Sequence, residues 1–326
     1  MIHDDALARA IAACPTEDFH GPDGRAIRPC TPADVTRRHV RMLAPRPGAN
    51  LLEIGVGSGY SGALLAHLAG PTGHVTAVEY NPELAERAAR LFAEHQLPVT
   101  VITGDGMPGH AERAPYDGIF VGATPPAIPH AWLAQLRPGG KLLTGVRISD
   151  LPGSYAIACL TVDDKAQPDR IEVHHGGYTP MAPLRPVTEL TRAEHDGASV
   201  TAMGSKPAEQ LLSALTSNPY AEPNPATGDD YFHFKNWLLA TRADGLLEAA
   251  LPQGVGVGIG ISNPGGAVHA ALVTDELLIS DAPVSPARAM LQSLAAEWER
   301  RGAPRTHQLR AFADRDGDTW AVRLDT

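Results

Sequence analysis

The chain has 326 residues, enough for two domains at ordinary sizes of about 100–200 residues each. Its formal net charge of -10, with no basic run, excludes a nucleic-acid backbone as the expected partner. Residues 1–10 (MIHDDALARA) lack the apolar core of a secretory signal, no stretch is long and apolar enough to span a bilayer, and three scattered cysteines (Cys14, Cys30, Cys159) predict a cytoplasmic chain with neither a disulfide framework nor a zinc site.

Residues 4–14 predict a short helix with Leu7, Ala10, Ile11 and Cys14 on one face, ended by Pro15. Residues 19–29 (FHGPDGRAIRP) have no period and read as a loop. A helix then runs from residue 31 to Leu43, with Thr31 as its expected N-cap and Pro32 at its first position. Pro45, Pro47 and Gly48 close it.

The middle of the chain is organised around residues 51–60 (LLEIGVGSGY). Leu51, Leu52 and Ile54 make a short strand that contains the acid Glu53, and Gly55, Gly57 and Gly59 alternate in the turn after it. Residues 61–68 then have helical spacing. Strand, glycine turn and helix form the first unit of a doubly wound nucleotide-binding fold. The glycines let a ligand approach the backbone and the helix N-terminus closely. A dinucleotide fingerprint would be G-x-G-x-x-G, but here the third glycine comes one position early and Tyr60 stands in its place.

Residues 74–79 are a second strand ending on Glu79, about 20 residues past the turn, where an acid binds ribose hydroxyls in this topology. Residues 81–95 predict a helix with Asn81 as N-cap and Pro82 first. Residues 99–103 are a third strand, succeeded by Gly104-Asp105-Gly106. Ala114-Pro115-Tyr116-Asp117 leads into a fourth strand over 118–123. Residues 123–129 then form a loop at the carboxyl end of the sheet, where open α/β folds bind ligands. Residues 136–142 read as helix end, turn and next strand, and residues 154–162 and 170–176 predict antiparallel strands. His174 and His175 would point to opposite faces of a strand, so the pair cannot chelate one metal ion.

Residues 188–326 have the signals of a separate α+β module. A linker-like polar stretch opens it, then a helix over 207–215 and a loop over 218–230. A second helix covers 231–240, with strands over 255–262, 268–273 and 277–280. An amphipathic helix over 285–300 and two closing strands, 309–313 and 319–324, complete it. Tyr231, Phe234 and Trp237 are its candidate peptide anchors if exposed, and core residues if not.

The pattern E-x-G-x-G-x-G after a strand resembles S-adenosylmethionine (SAM) methyltransferases. The stretches EIGVGSGYSGALLAHL, GHVTAVEYNPELAERAARL and VITGDGMPGHAERAPYDGIFVGATPPAIPHAWLAQLRPGGKLL resemble, more narrowly, the protein-L-isoaspartate O-methyltransferases. The G-D-G, A-P-Y-D and I-P-x-x-W/L-x-x-Q-L-x-P-G-G motifs carry that likeness, which covers residues 31–183. It implies an α/β, Rossmann-like SAM-dependent methyltransferase core over 49–184, a helical and loop segment over 1–48 belonging to it, and the C-terminal α+β extension over 188–326. It also implies cofactor contacts from Glu53, Gly55, Gly57, Ser58, Gly59, Tyr60, Glu79, Tyr80, Gly104, Asp105, Gly106 and Asp117, with Asp105 accepting from the adenine amine. Substrate contacts are implied for Pro32, Thr124, Pro125 and Tyr178, the last in an aromatic-x-Pro segment similar to the end of the family's core.

The chain departs from the family at one motif. The family has Ser-Ala-Pro or Ser-Gln-Pro where this chain has Cys30-Thr31-Pro32, and the family's serine lies between methyl donor and substrate carboxylate. A thiol is a weak hydrogen-bond donor, so either Thr31 supplies the hydroxyl or the site handles its substrate differently. Both Thr31 and Cys30 are candidate catalytic residues.

The reaction this implies is attack of an aspartyl or isoaspartyl carboxylate oxygen on the SAM methyl group. A carboxylate is already ionised at neutral pH. The enzyme must align oxygen, methyl and sulfur and strip water from the nucleophile, which needs no acid–base dyad. The ester is activated, and the neighbouring backbone nitrogen can then displace methanol and close a succinimide (aspartimide). Extended relatives resemble enzymes that tailor ribosomally made peptides of the lanthipeptide, lasso and graspetide kinds, and the expected partner is a peptide or protein bearing Asp or isoAsp. The alternatives are isoaspartate repair, methylation of a small-molecule carboxylate, and a non-catalytic SAM-binding scaffold.

Overall fold

The computed structural model describes residues 4–21, 27, 30–181, 190–224, 226–252 and 256–326. Most of the loop expected over 19–29, the expected boundaries at 183–188, and Val255 lie outside the described residues. Three helices open the chain: α1 (Asp4–Ala13), α2 (Thr16–His20) and α3 (Ala33–Leu43). Phe19 and His20 therefore end a helix instead of starting a loop. At five residues, α2 is too short to show a period. Phe19 is fully buried against Tyr60, and burial of that ring holds α2 in place.

The first sheet alternates strands and helices: β1 (Asn50–Ile54), α4 (Tyr60–Ala69), β2 (His74–Glu79), α5 (Pro82–Glu94), β3 (Val99–Thr103) and β4 (Tyr116–Val121). After a two-residue β5 (Ile128–Pro129) and a short α6 (His130–Ala134) come β6 (Leu136–Arg147), β7 (Tyr155–Val162) and β8 (Pro168–His175). Its strand order is β3-β2-β1-β4-β6-β7-β8. Neighbours from β3 to β6 pair in parallel, and β7 and β8 are added antiparallel. This is the expected Rossmann-like arrangement. The strand order reverses between β1 and β4, so the crevice there opens above the carboxyl ends of both strands.

The later part of the chain builds a second sheet. It uses β9 (Leu190–His195), β10 (Ala198–Met203), α7 (Ala208–Ser217), β11 (Tyr220–Pro223), α8 (Asp229–Ala240) and β12 (Leu246–Leu251). It continues through β13 (Gly256–Ser262), β14 (Ala270–Val273), β15 (Leu277–Ser280) and α9 (Pro286–Arg300). Strand order is β11-β15-β14-β13-β12-β10-β9, antiparallel throughout. The stretch expected to be a polar linker is the β9–β10 hairpin. Its outer strand, β9, is an exposed edge rich in charge, which hides the alternation that marks a strand. Likewise β11 falls inside an expected loop, at the opposite edge. The final hairpin, β16 (Arg310–Asp316) and β17 (Thr319–Asp325), returns to the first half: Trp320 pairs with Ile128 and Thr319 with Pro129 of β5.

One buried cluster spans the two halves, beside a second confined to the first half and a third confined to the later half, which so has a core of its own as well. The spanning cluster of buried side chains runs from Leu52, Ile54 and Val146 in the first sheet to Phe234, Trp237, Ile259, Trp298 and Val322 beyond it. Tyr231, Phe234 and Trp237 are buried, so they are core residues and offer no anchors to a peptide; of that aromatic run, Phe232 is exposed. Lys235 Nζ donates to the Gly153 carbonyl at 2.7 Å, and Glu248 accepts from the Gly153 N–H. Two oppositely charged side chains thus hold one residue of the first half across the junction. Such a shared core predicts one cooperative unfolding transition for both halves. Phe234→Ala should lower its midpoint at a cost of about 3–5 kcal/mol. Urea melts monitored by circular dichroism check this, and two separated transitions would contradict it.

Candidate active site

The crevice holds a cavity of about 470 Å³ lined by Cys30, Thr31, Pro32, Val35, Thr36, Arg38, Gly55, Gly57, Ser58, Glu79, Gly122 and Tyr178, among others. The glycine turn forms its floor. Gly55, Gly57 and Gly59 have φ of 80°, 53° and 87°, left-handed values that L side chains rarely adopt. Glu79 is 8% exposed, and both its carboxylate oxygens are engaged from below: Gly57 N–H donates at 3.0 Å and Asn81 N–H at 2.9 Å. A carboxylate has about four acceptor positions, so two are left for a ligand's hydroxyls. Asn81 Oδ1 accepts from Glu83 N and Leu84 N, capping α5 as expected.

Glu53 is placed differently. It is fully buried beneath the turn, and Ser61 Oγ donates to its carboxyl. Gly62 makes room for it, because a Cβ there would collide with the Glu53 carboxylate and lie 2.9 Å from Phe92. Burial pushes its acid up to about 8, partly offset by the Ser61 hydroxyl. It shapes the site from behind and is not among the cavity's lining residues. Tyr60 is a correction of the same kind. Its ring is fully buried against Phe19 and His20, and its hydroxyl accepts from Arg37 Nε at 2.7 Å. A side-chain contact to a ligand is thereby closed off.

Three further expectations are corrected. Asp117 sits at the opposite end of β4, where it accepts from Asn50 N at 2.7 Å and pairs with Arg137 at 2.7 Å. It braces strands far from the crevice. Thr124 is completely buried; its hydroxyl donates to the Tyr178 carbonyl at 2.8 Å, and its backbone pairs with Thr179 and Met181. It splices the loop after β4 to the segment after β8. Pro125 lines a separate small cavity beside Trp320 and Val322.

Asp105 spends one oxygen on Met107 N–H at 2.9 Å and leaves the other exposed at the end of β3. Gly106 packs its Cα against Ile54, and its carbonyl accepts from Trp132 Nε1 at 2.9 Å. Gly104 N–H donates to the Glu79 carbonyl, which ties the ends of β2 and β3 together. Tyr80, 80% exposed, comes directly after β2 at the rim.

Cys30 and Thr31 face the cavity from the other wall. α3 begins at Ala33, with Pro32 at the N-cap and no side-chain cap. Thr31 is therefore not the cap, and its hydroxyl has no partner among the described residues. The Pro32 carbonyl accepts from both Thr36 N and Thr36 Oγ1. Burial holds the Cys30 thiol above its ordinary value, which keeps it protonated despite Ser58 and Arg87 nearby. Tyr178 closes the cavity, sharing a hydrogen bond of 2.5 Å with buried His39 Nδ1. Burial and the neighbouring Arg38 push His39 down to about 3, so the pair is neutral.

Several site residues carry no sequence signal. Arg87 on α5 donates to the Ser58 carbonyl at 2.8 Å and the Phe19 carbonyl at 2.7 Å, clamping α2 over the glycine turn. Arg37 donates to Thr16 as well as Tyr60. His39 and Arg38 belong to a helix whose sequence shows only amphipathicity. These pairings connect positions 21 to 139 residues apart, which no local pattern records.

Among the described residues there is no helix long and apolar enough to cross a membrane, and no cluster of three or more metal-ligating side chains. The family model described as protein-L-isoaspartate(D-aspartate) O-methyltransferase matches residues 33–161. The chain is 45% identical over 122 residues to a protein-L-isoaspartate O-methyltransferase of Methanothrix thermoacetophila, covering 37% of this chain and 55% of that one. A namesake from Staphylothermus marinus is 40% identical over 170 residues, covering 45% of this chain and 73% of that one. The chain thus spans little more than half the length of the first of these relatives. A solved protein-L-isoaspartate O-methyltransferase aligns over 99% of this chain and 96% of its own at 19% identity and a TM-score of 0.48.

Glu53 gives a pH test. Its folded acid lies above the unfolded value, so between about pH 4.5 and 8 the folded state holds a proton the unfolded state has lost. Stability from this group is full below that window and falls as pH rises through it. Glu53→Gln should flatten the fall and leave the variant relatively more stable at pH 9 than at pH 5. Urea midpoints at both pH values check the slope; an unchanged slope would show that Glu53 is ionised in the fold.

Proposed function

Because the chain belongs to the protein-L-isoaspartate O-methyltransferase family, we propose that it transfers the methyl group of SAM to an aspartyl or isoaspartyl carboxylate of a peptide or protein. The observation that carries this reading is one cavity with two unlike walls. On one side lie the glycine turn and the tethered Glu79 carboxylate; on the other lies the Thr31 hydroxyl, without a partner among the described residues. Glu79 would accept from the ribose hydroxyls, the Gly55–Gly59 backbone would pass close to the methionine part, and Asp105 and Tyr80 would meet the adenine. Thr31 would hold the substrate carboxylate in line with the methyl group, with Cys30 packing beside it as a neutral thiol. SAM supplies the electrophilic methyl. The chain's own task is to orient the carboxylate oxygen and exclude water, a task that calls for no proton transfer by the protein.

Within this reading we place the protein among the tailoring enzymes, with residues 188–326 as the part that recognises its peptide. The support is the Cys30-Thr31 replacement of the family's serine motif and the position of the later half. There Phe232 stacks on His175 at 5.8 Å and His307 on His174 at 5.5 Å, directly beside the cavity wall. Repair of isoaspartyl proteins is equally consistent with the family, and one experiment separates the two. Offered a generic isoaspartyl peptide and a precursor peptide encoded beside its gene, a tailoring enzyme turns over the second. The product is an aspartimide, lighter than the starting aspartyl peptide by one water. Efficient turnover of the generic peptide alone would establish repair.

Two variants test the assigned roles. Glu79→Ala should weaken SAM binding by about 1–3 kcal/mol through unmade hydrogen bonds, read by calorimetry; unchanged affinity would remove Glu79 from the site. Thr31→Ala should cut kcat while leaving SAM affinity and the thermal midpoint nearly unchanged, since its hydroxyl caps nothing. Normal turnover in that variant would reject its catalytic role.

A further inference from the structure

We propose that Arg38 is a specificity residue for acidic peptides: it binds a substrate carboxylate other than the one methylated, on a peptide that crosses Gly176 and Gly177 between two adjoining cavities. The inference rests on the reading of the site as a peptide carboxyl methyltransferase.

Arg38 carries an unspent charge. It is exposed on α3 and lines the mouth of the candidate active site. Among the described residues no carboxylate or carbonyl pairs with its guanidinium. Several surface arginines are engaged, Arg137 with Asp117, Arg170 with Glu172, Arg192 with Glu194 and Arg288 with Glu222, and Arg38 is set apart from the unpaired ones by lining this cavity. In a chain with net charge -10, acids are plentiful, yet none of the described ones is supplied here. The positive field of Arg38 reaches His39, His174 and His175, helping to hold all three below the ordinary histidine range. The acids acting on that group are Glu172, already paired with Arg170, and Asp229, on α8.

Arg38 lines the first of two adjoining cavities, with its guanidinium beside Gly176, which lines both. Beyond Gly176, Gly177 and Tyr178, which wall the active-site cavity, a second cavity of about 370 Å³ opens against the same three residues. His175 and the exposed ring of Phe232 line it as a stacked pair. Its lining cation, Lys235, is already donating to the Gly153 carbonyl and neighbours Glu248. The second cavity therefore suits an apolar or aromatic side chain, and the negative charge must meet Arg38. Arg38 stands five residues along α3 from Ala33, about 8 Å of helix rise from the end that carries Thr31. Two or three extended residues span that distance. The recognised acid is therefore two or three positions from the methylated residue.

Fluorescence anisotropy tests this without relying on turnover. Two labelled aspartyl peptides are titrated into the full chain with S-adenosylhomocysteine present. One carries Glu at the second and third positions on both sides of the target, and the other carries Gln there. The wild type should bind the Glu peptide about five-fold more tightly, the range of an exposed ion pair. Arg38→Gln should erase that preference while binding the Gln peptide as before, and Arg38→Glu should prefer a matching Lys peptide. Equal losses for both peptides in Arg38→Gln, or no preference in the wild type, would overturn the inference. Methyl transfer measured on the same peptides reads the proposed activity separately: binding preference without any transfer would keep Arg38 and reject the reaction.

Discussion

The ligand cavity depends on one carboxylate. Glu79 ends β2 and takes the N–H of Gly57 on one oxygen and the N–H of Asn81 on the other. Its own carbonyl accepts from Gly104. Three loops at the carboxyl end of the sheet are thus bound to one residue, and two free acceptor positions still face the cavity. A glycine turn in left-handed conformation is entropically expensive to order. The acceptor beside it offsets that cost by taking the Gly57 N–H, while the Gly55 and Gly59 N–H groups go to the Val78 and Val56 carbonyls. Glu53, one strand over and fully buried, complements it by filling the space under α4 that Gly62 leaves.

The opposite wall is assembled from the N-terminal helices, and arginines hold it. Arg87 reaches from α5 to two carbonyls, one on the turn and one on α2. Arg37 joins α3 to Thr16 and to Tyr60. Hydrogen bonds from a charged donor are stronger than neutral ones, and here they add to the burial of Phe19 in fixing the short α2. The cavity is therefore a joint between the sheet and a clasped N-terminal arm, with Cys30 and Thr31 on the arm's inner side.

The later half of the chain is built into this core. Its aromatic helix α8 turns Phe234 and Trp237 inward and leaves Phe232 outside against His175. The chain's last strand pairs with β5. A substrate-facing role for this half therefore has to be exercised by its surface beside β8 and not by a detachable module. Removing it would expose the shared apolar cluster.

The sequence by itself determined the Rossmann-like sheet, because its strands are short apolar runs punctuated by Gly, Pro and Asn, and those signals are local. It put Glu79 at the end of β2, where the structure has it on the cavity wall, since a strand-end acid comes after the turn at a fixed spacing, and it identified Asn81 as a cap. It misplaced Tyr60, Asp117, Thr124 and Pro125. Each lies near a motif in the sequence, but which way a side chain faces depends on partners tens of residues away: Arg37 for Tyr60, Asn50 and Arg137 for Asp117, the Tyr178 carbonyl for Thr124. Edge strands β9 and β11 went unseen because one exposed face and few core contacts leave no apolar alternation. Only the tertiary structure decided that the two halves share a core, that Thr31 is no cap, and that Arg38 has no partner among the described residues at the cavity mouth. Each of these is a statement about what surrounds a residue, and surroundings are made by long-range packing that no local spacing encodes.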